Sequence, residues 1–178
     1  MKKLFILIAA ILGVSTVSAQ KFARINLQEV VVAMPEFTEA QKNLEAFGKD
    51  LQEQMEQIQV EFNNKLADFQ KNQETMAASV KQIKQQELEQ LQQRYAEFQQ
   101  IAQQDFQKKQ AELFEPVQKK AQEAVQKVSK SAGYIAVFDT SIQSLAYFDE
   151  AQLVDIAPLV KKELGIVDAP AAEGTAKK

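Results

Sequence analysis

Residues 44–69 read LEAFGKDLQEQMEQIQVEFNNKLADF, and an apolar side chain recurs in them at every third or fourth position. Such spacing places the apolar side chains in a stripe along one face of an α-helix. The pattern repeats after eleven residues instead of seven. This repeat averages about 3.67 residues per turn, which predicts a nearly straight helix. The apolar positions are Leu44, Phe47, Leu51, Met55, Ile58, Phe62, Leu66 and Phe69.

The same eleven-residue period returns farther along the chain in two sets of apolar positions. No glycine lies between Gly48 and Gly133, and Pro116 is the only proline there, so the helical pattern runs almost without interruption. Two helices with matching stripes predict an antiparallel hairpin with one apolar seam. The second helix carries Leu91, Ala102, Leu113 and Ala124, and Tyr95, Phe106, Val117 and Val128.

Between the two stripes, residues 72–79 read NQETMAAS and continue neither pattern. Asparagine, threonine and serine favour turns and helix caps over helix interiors. We therefore expect the tip of the hairpin at 72–79, with Thr75 or Ser79 capping the second helix. A turn centred near Met76 pairs residues whose numbers add to about 153, which predicts an arm spanning 37–116.

The two ends of the chain, residues 20–36 and 117–167, are expected to form a small body. Alternation of apolar and polar side chains predicts three short strands there. A final helix is expected to begin at Asp155, as its N-cap, and to end at Gly165. Residues 168–178 have the composition of a disordered tail. The predicted strands are Lys21 to Leu27, Tyr134 to Asp139 and Ser144 to Phe148.

The predicted fold is therefore mainly α, with a long antiparallel helical hairpin, a coiled-coil arm, projecting from a small sheet formed by the N- and C-terminal segments. Three short strands bury too little apolar surface to be stable alone, and their open edges favour pairing with another chain. We expect a homo-oligomer that assembles through these strands. The candidate oligomerisation residues are Phe22, Ile25, Leu27, Tyr134, Val137, Leu145 and Tyr147.

Residues 1–19 have the features of a signal peptide for export. Lys2 and Lys3 form a positive start, an apolar run follows, and Val17-Ser18-Ala19 is typical of a cleavage site. The apolar run is shorter than the ~20 residues that span a bilayer, although a single-helix anchor is the alternative interpretation. We expect cleavage after Ala19 and a periplasmic mature protein.

The composition excludes most catalytic chemistry. The chain contains neither histidine nor cysteine, so it lacks Ser-His-Asp and Cys-His catalysis and the commonest zinc ligand. No glycine-rich phosphate loop is present either. We expect no enzyme activity, metal or cofactor. Without Lys2 and Lys3, 19 basic residues stand against 24 acidic ones, and this net charge of −5 argues against nucleic acid as a partner.

The polar faces of the arm are rich in glutamine, with nineteen between Thr38 and Glu115. These amides either offer adaptable hydrogen bonds to an exposed backbone or only keep the helices soluble. The aromatic residues of the stripe could grip a partner, but we expect them in the seam. They are Phe47, Phe62, Phe69, Tyr95, Phe98 and Phe106.

Apolar residues outside the seam or near the tip are better candidates for binding a partner. Methionine in particular suits surfaces that accept many partners. Isolated exposed apolar residues also occur on any protein, so each position has an ordinary explanation as well. The candidate binding residues are Val60, Met76, Val80, Ile83 and Ile101.

The segment ARINLQEV, residues 23–30, followed by Met34-Pro35, resembles the opening of the Skp/OmpH family of periplasmic outer-membrane-protein chaperones. The C-terminal half is also similar to this family, in order and in spacing. The resemblance covers the expected mature chain except the tail. Its C-terminal motifs are Gly133-Tyr134, Val137-Phe138-Asp139, Tyr147, Asp155-Ile156, Val160-Lys161-Lys162 and Leu164.

The resemblance implies a jellyfish-like homotrimer in which strands of three chains form a body and three helical arms enclose a cavity. It implies that this cavity holds unfolded outer-membrane proteins, the clients, without ATP and prevents their aggregation. We expect many weak apolar contacts between cavity and client, each worth at most ~1–2 kcal/mol.

The charge of the arm tip departs from what the resemblance implies, since well-known members of the family are basic proteins with cationic arm tips. Lys65 to Arg94 contains five basic and four acidic residues. This balance weighs against binding of lipopolysaccharide or anionic lipid. The alternative function for the whole chain is a periplasmic structural or adaptor coiled coil, whose arm would bind one fixed partner.

Overall fold

A computed structural model describes residues 21–142, 145–149 and 151–166. The predicted signal peptide and the predicted tail lie outside the described residues. The elements are, in order, β1 (Lys21–Ile25), α1 (Leu27–Val32), α2 (Pro35–Asn72), α3 (Ala78–Ala132), β2 (Tyr134–Asp139), β3 (Val154–Asp155) and α4 (Ala157–Glu163). The prediction of a mainly helical chain with a small sheet is confirmed.

The chain divides into two compact units. We call Val31–Lys120 the hairpin unit, and the described residues before and after it the terminal unit. Helix α3 contributes residues to both units, and it continues through Pro116.

In the hairpin unit, α2 and α3 run antiparallel with their apolar stripes facing each other. Every predicted stripe position between Leu44 and Val117 is buried or half-buried. The ion pairs Lys65–Glu87 and Glu61–Arg94 join the two helices. Both pairs agree with the predicted register to within one turn of helix.

The turn of the hairpin lies between Asn72 and Ala78, inside the predicted tip. The Thr75 hydroxyl donates a 3.0 Å hydrogen bond to the Asn72 carbonyl, and the Asn72 side chain donates to the Asp68 carbonyl. Both acceptors are carbonyl groups at the C-terminal end of α2, so these bonds cap that end of the helix. The prediction that Thr75 or Ser79 caps α3 is wrong, because Thr75 serves the other helix and Ser79 lies inside α3.

The terminal unit contains a parallel three-stranded sheet with the strand order β2-β1-β3. Ala23 and Ile25 of β1 are buried on one face of this sheet. Together with apolar residues from both ends of the chain they form one core. The other buried members of the core are Val30, Ala124, Ile156, Ala157 and Val160.

The predicted first strand is confirmed except for its last two residues, and the predicted third strand is wrong. Strand β1 stops at Ile25 because the Asn26 carboxamide oxygen accepts a hydrogen bond from the Glu29 N–H, which starts α1 at Leu27. The described part of the predicted third strand, residues 145–148, is not a strand. Its place in the sheet is taken by Val154–Asp155, which pairs with β1.

The last helix begins almost where it was predicted. The Asp155 carboxylate accepts a 2.9 Å hydrogen bond from the Ala157 N–H, but the N-cap position falls one residue later, on Ile156. The helix is followed by Gly165, whose φ of 71° is a left-handed conformation that glycine adopts without strain.

Candidate functional site

Four of the five candidate binding residues project from the hairpin unit into solvent. Val60, Val80, Ile83 and Ile101 are between 43% and 54% exposed, whereas Met76 is half-buried in the turn. Ile83 and Ile101 are separated by five full helical turns, so they lie on one line along α3, about 27 Å apart. The hairpin therefore presents separate apolar points instead of one apolar patch.

The aromatic residues of the stripe occupy the seam. Phe62 and Tyr95 are half-buried beside Ile58 and Leu91, both of which are buried. The other aromatic stripe residues, Phe47, Phe69, Phe98 and Phe106, are likewise half-buried. Their first role is to hold α2 against α3, as expected.

A groove lies at the end of the hairpin unit remote from the turn. Its volume is about 940 Å³, and its apolar walls include Phe37, Leu44, Phe106 and Phe114. The rings of Phe37 and Phe114 meet edge to face, with their centroids 5.3 Å apart. Glutamines border the groove on both helices, among them Gln41, Gln107 and Gln110.

The groove was not predicted from the sequence, because Phe37 and Phe114 stand outside the eleven-residue stripe. The predicted register carried the missing signal, since it places these two aromatic residues within a turn of each other. The role of Gly48 was not predicted either, because it too depends on which residue of α3 faces this position. A Cβ atom at Gly48 would lie 3.1 Å from Cε2 of Phe106, so glycine allows this ring to lie against α2.

Charged side chains tie the two helices together nearer the turn. Glu87 accepts hydrogen bonds from both Lys65 and Lys84, each at 3.2 Å, and Arg94 donates to Glu61 at 3.1 Å. The hydrogen bonds from Lys65 and then Lys84 lower the pKa of Glu87 below its usual value. Three of the five basic residues between Lys65 and Arg94 are thereby paired with carboxylates of the hairpin.

A second cross-helix ion pair lies at the other end of the hairpin unit. Lys120 donates a hydrogen bond to the carboxylate of Glu36 in the first turn of α2. This bond, followed by one from the backbone of Glu36 itself, lowers the pKa of Glu36 below 4.5. An ionised carboxylate thus joins α2 to α3 at the end of the hairpin unit remote from the turn.

The candidate oligomerisation residues separate into two groups in the terminal unit. Ile25 is only 2% exposed in the single chain, and Tyr134 and Val137 pack against the same core. Phe22 and Tyr147 are exposed, and Phe22 stacks on Phe138 with ring centroids 6.1 Å apart. The expectation that all seven lie in strands is wrong for Leu27, in α1, and for Leu145 and Tyr147, in an irregular segment.

Among the described helices, none is both long and apolar enough to cross a membrane. In the same part of the chain, no three Asp or Glu side chains are grouped as a metal ion would require.

The sequence matches the profile of the family described as outer membrane protein (OmpH-like) over residues 21–164. The chain belongs to this OmpH-like family. The match covers both units, so the resemblance seen in the sequence is confirmed.

A crystal structure from Caulobacter crescentus, described as an OmpH-like outer membrane chaperone, has a similar fold. The TM-score is 0.71, over 83% of this chain and 85% of that chain, at 12% sequence identity. At this low sequence identity, the similarity shows a shared fold and nothing more. No curated protein matches the sequence.

Proposed function

We propose that this chain is an ATP-independent holdase chaperone that binds unfolded outer-membrane β-barrel proteins in the periplasm and prevents their aggregation. Membership of the OmpH-like family carries the proposal. The fold shared with a structure described as an outer membrane chaperone supports it. We further propose a homotrimer whose three hairpins surround a cavity, with the signal peptide removed after Ala19.

The surface of the hairpin suits a client that has no fixed structure. Unfolded barrel strands carry an apolar side chain at every second position. An extended segment of about eight residues covers the 27 Å between Ile83 and Ile101, so one segment can reach both. Each contact is worth at most ~1–2 kcal/mol, and several together hold the client while any one contact can break.

Two further features are consistent with a chaperone that holds its client and catalyses no reaction. The glutamines offer both donors and acceptors, which any unfolded backbone can use. The chain also contains no histidine or cysteine, two side chains that commonly act as base or nucleophile near neutral pH. Because holding is reversible, the client dissociates without ATP. Folding of the client elsewhere then supplies the free energy for its release.

The proposal is tested by diluting two unrelated urea-unfolded outer-membrane barrels into buffer with the mature protein and without ATP. Light scattering should stay low for both barrels, and static scattering of the protein alone should give the mass of three chains. An equal mass of an unrelated helical protein is the control. Barrels that precipitate as fast as in the control contradict the holdase function. Rescue of one barrel only, at fixed stoichiometry, favours the adaptor alternative.

A further inference from the structure

We infer that the groove between Phe37, Leu44, Phe106 and Phe114 is a selective subsite for short extended client segments in which apolar residues are flanked by lysine or arginine. The inference rests on the proposed function and names the chemistry of the client segment that this groove prefers.

The dimensions of the groove set the length of the segment. Phe106 and Phe114 are about 12 Å apart along α3, which equals roughly four residues of extended chain. Alternate side chains of such a segment point to the same side, so two of them face the apolar floor. The volume of about 940 Å³ lies within the range of roughly 300–1,000 Å³ typical of sites for small ligands.

The charge of the groove sets the flanking residues. The ionisable side chains that line it are two carboxylates, Glu45 and Glu115. In the register of the hairpin they stand about 10 Å apart along its axis, one toward each end of the groove. A cationic residue at each end of the bound segment would meet a carboxylate, whereas an acidic residue would be repelled.

The amides supply the rest of the recognition. Gln41, Gln107 and Gln110 border the groove and are exposed. Their carboxamides can donate to and accept from an extended backbone, which has both groups free when it is unfolded. The partner is therefore defined by conformation and flanking charge, with little dependence on which apolar side chains it carries.

The test uses three fluorescent peptides with one apolar core, Lys-Phe-Ser-Leu-Lys, Gln-Phe-Ser-Leu-Gln and Glu-Phe-Ser-Leu-Glu, and measures their binding to the full chain by anisotropy. We expect the lysine peptide to bind at least about fivefold more tightly than the glutamate peptide at low salt. The double variant Glu45→Gln with Glu115→Gln should remove this preference and leave the glutamine peptide unchanged. Equal affinities for the three peptides in the unmodified protein overturn the inference.

A bulky substitution locates the site. Ala111 lines the groove, and Ala96 is an exposed alanine of the same helix outside it. Ala111→Trp should weaken binding of all three peptides by at least about fivefold, and Ala96→Trp should not. Equal effects of the two variants contradict the site. A change in the mass of the assembly with Ala111→Trp also contradicts it, because the groove would then face another copy of the chain.

Aggregation of an unfolded barrel is measured with the same proteins. If the unmodified chain suppresses aggregation while the peptides show no charge preference, the groove inference fails alone. If it suppresses nothing, the holdase function fails, whatever the peptides do.

Discussion

Gly48 shows how the absence of a side chain makes room for a residue of the neighbouring helix. A glycine inside a helix destabilises it by about 1 kcal/mol relative to alanine, because it adds backbone freedom to the unfolded chain. Here the missing Cβ leaves room for the ring of Phe106, which is half-buried and borders an open groove. The ring has space to move by the few tenths of an ångström that a methyl group requires.

We therefore expect Gly48→Ala to stabilise the protein, by up to about 1 kcal/mol in the free energy of unfolding. Gly48→Val should destabilise it by about 1–3 kcal/mol, because the added methyl groups press on the ring. Urea unfolding followed by far-UV circular dichroism measures both changes. A loss of stability for Gly48→Ala would mean that Phe106 is held rigidly.

The ionisation of Glu36 is linked to the pairing of α2 with α3, because its partner Lys120 belongs to the other helix. Its hydrogen bond from Lys120 lowers the pKa of the carboxyl in the folded protein. A lowered pKa means that the stabilisation is complete above the unfolded value of 4.5 and is lost as the pH falls below it. Solvent reaches both partners, so the contribution is small.

We expect Glu36→Gln to reduce the free energy of unfolding at pH 7 by less than about 1 kcal/mol. The difference from the unmodified protein should shrink as the pH is lowered through the acidic range below 4.5. Glu39→Gln, at an exposed position of the same helix, is the control. A difference that persists unchanged in acid would assign the effect to packing instead of charge.

At the scale of the helix, the eleven-residue stripe divides the surface of α2 into a seam and an outer face. Ile58 is 6% exposed and lies in the seam, whereas Val60, two residues later, is 48% exposed. Two positions apart is more than half a turn, so the two side chains point in different directions. This contrast separates the residues that hold the hairpin together from those that face solvent.

Ile58→Ala should lower the free energy of unfolding by about 2–4 kcal/mol, because it leaves a cavity between α2 and α3. Val60→Ala should change it by less than about 0.5 kcal/mol, since the side chain is largely solvated. Thermal unfolding of the two variants gives the comparison. Equal losses would mean that the helices do not pack through the predicted stripe.

The helices could be predicted in detail because their signal is repeated many times. The stripe, the turn and the register all follow from one period, and Lys65–Glu87 and Glu61–Arg94 lie where the register places them. Strands of the terminal unit gave weaker signals. Tyr134–Asp139 was predicted with its observed bounds, but alternation in the segment after Ser144 does not reveal whether a neighbouring strand is available.

The remaining errors in the terminal unit have local causes. Strand β3 has two residues, too few for any period, and is held by the hydrogen bond from the Ile156 N–H to the Arg24 carbonyl and by the Arg24–Asp155 ion pair. The end of β1 could have been found, because Asn26 followed three residues later by Glu29 is typical of a helix start. The groove required knowledge of which residues face each other across the hairpin.

At the scale of the whole molecule, the proposed holding function depends on many weak contacts spread over a long surface. The exposed apolar residues are separated by charged and amide side chains, so no single position dominates. Such a surface tolerates the loss of one contact, because the others continue to bind the client.

Alanine at any one of the five candidate positions should change the concentration needed to suppress aggregation by less than about twofold. All five together should raise it more than about tenfold, since the losses accumulate for distant sites. The five are Val60, Met76, Val80, Ile83 and Ile101. A single substitution that abolishes suppression contradicts the distributed mechanism.

A comparison variant replaces five exposed glutamines of the same helices by alanine, and it should weaken suppression clearly less than the five apolar substitutions together. These are Gln52, Gln70, Gln85, Gln99 and Gln103. A loss as large as that of the apolar set would assign holding to the amides.

The parallel sheet imposes an order of events on the folding of a newly made chain. Near the tip, hydrogen bonds join residues only 22 and 33 positions apart, whereas the bond from Thr140 to the Ile25 carbonyl spans 115 positions. Contacts between distant positions form more slowly, because a longer loop must close first. The first strand to emerge is therefore the last to find its neighbours, and until the far end of the chain arrives its backbone is itself an unprotected aggregation hazard.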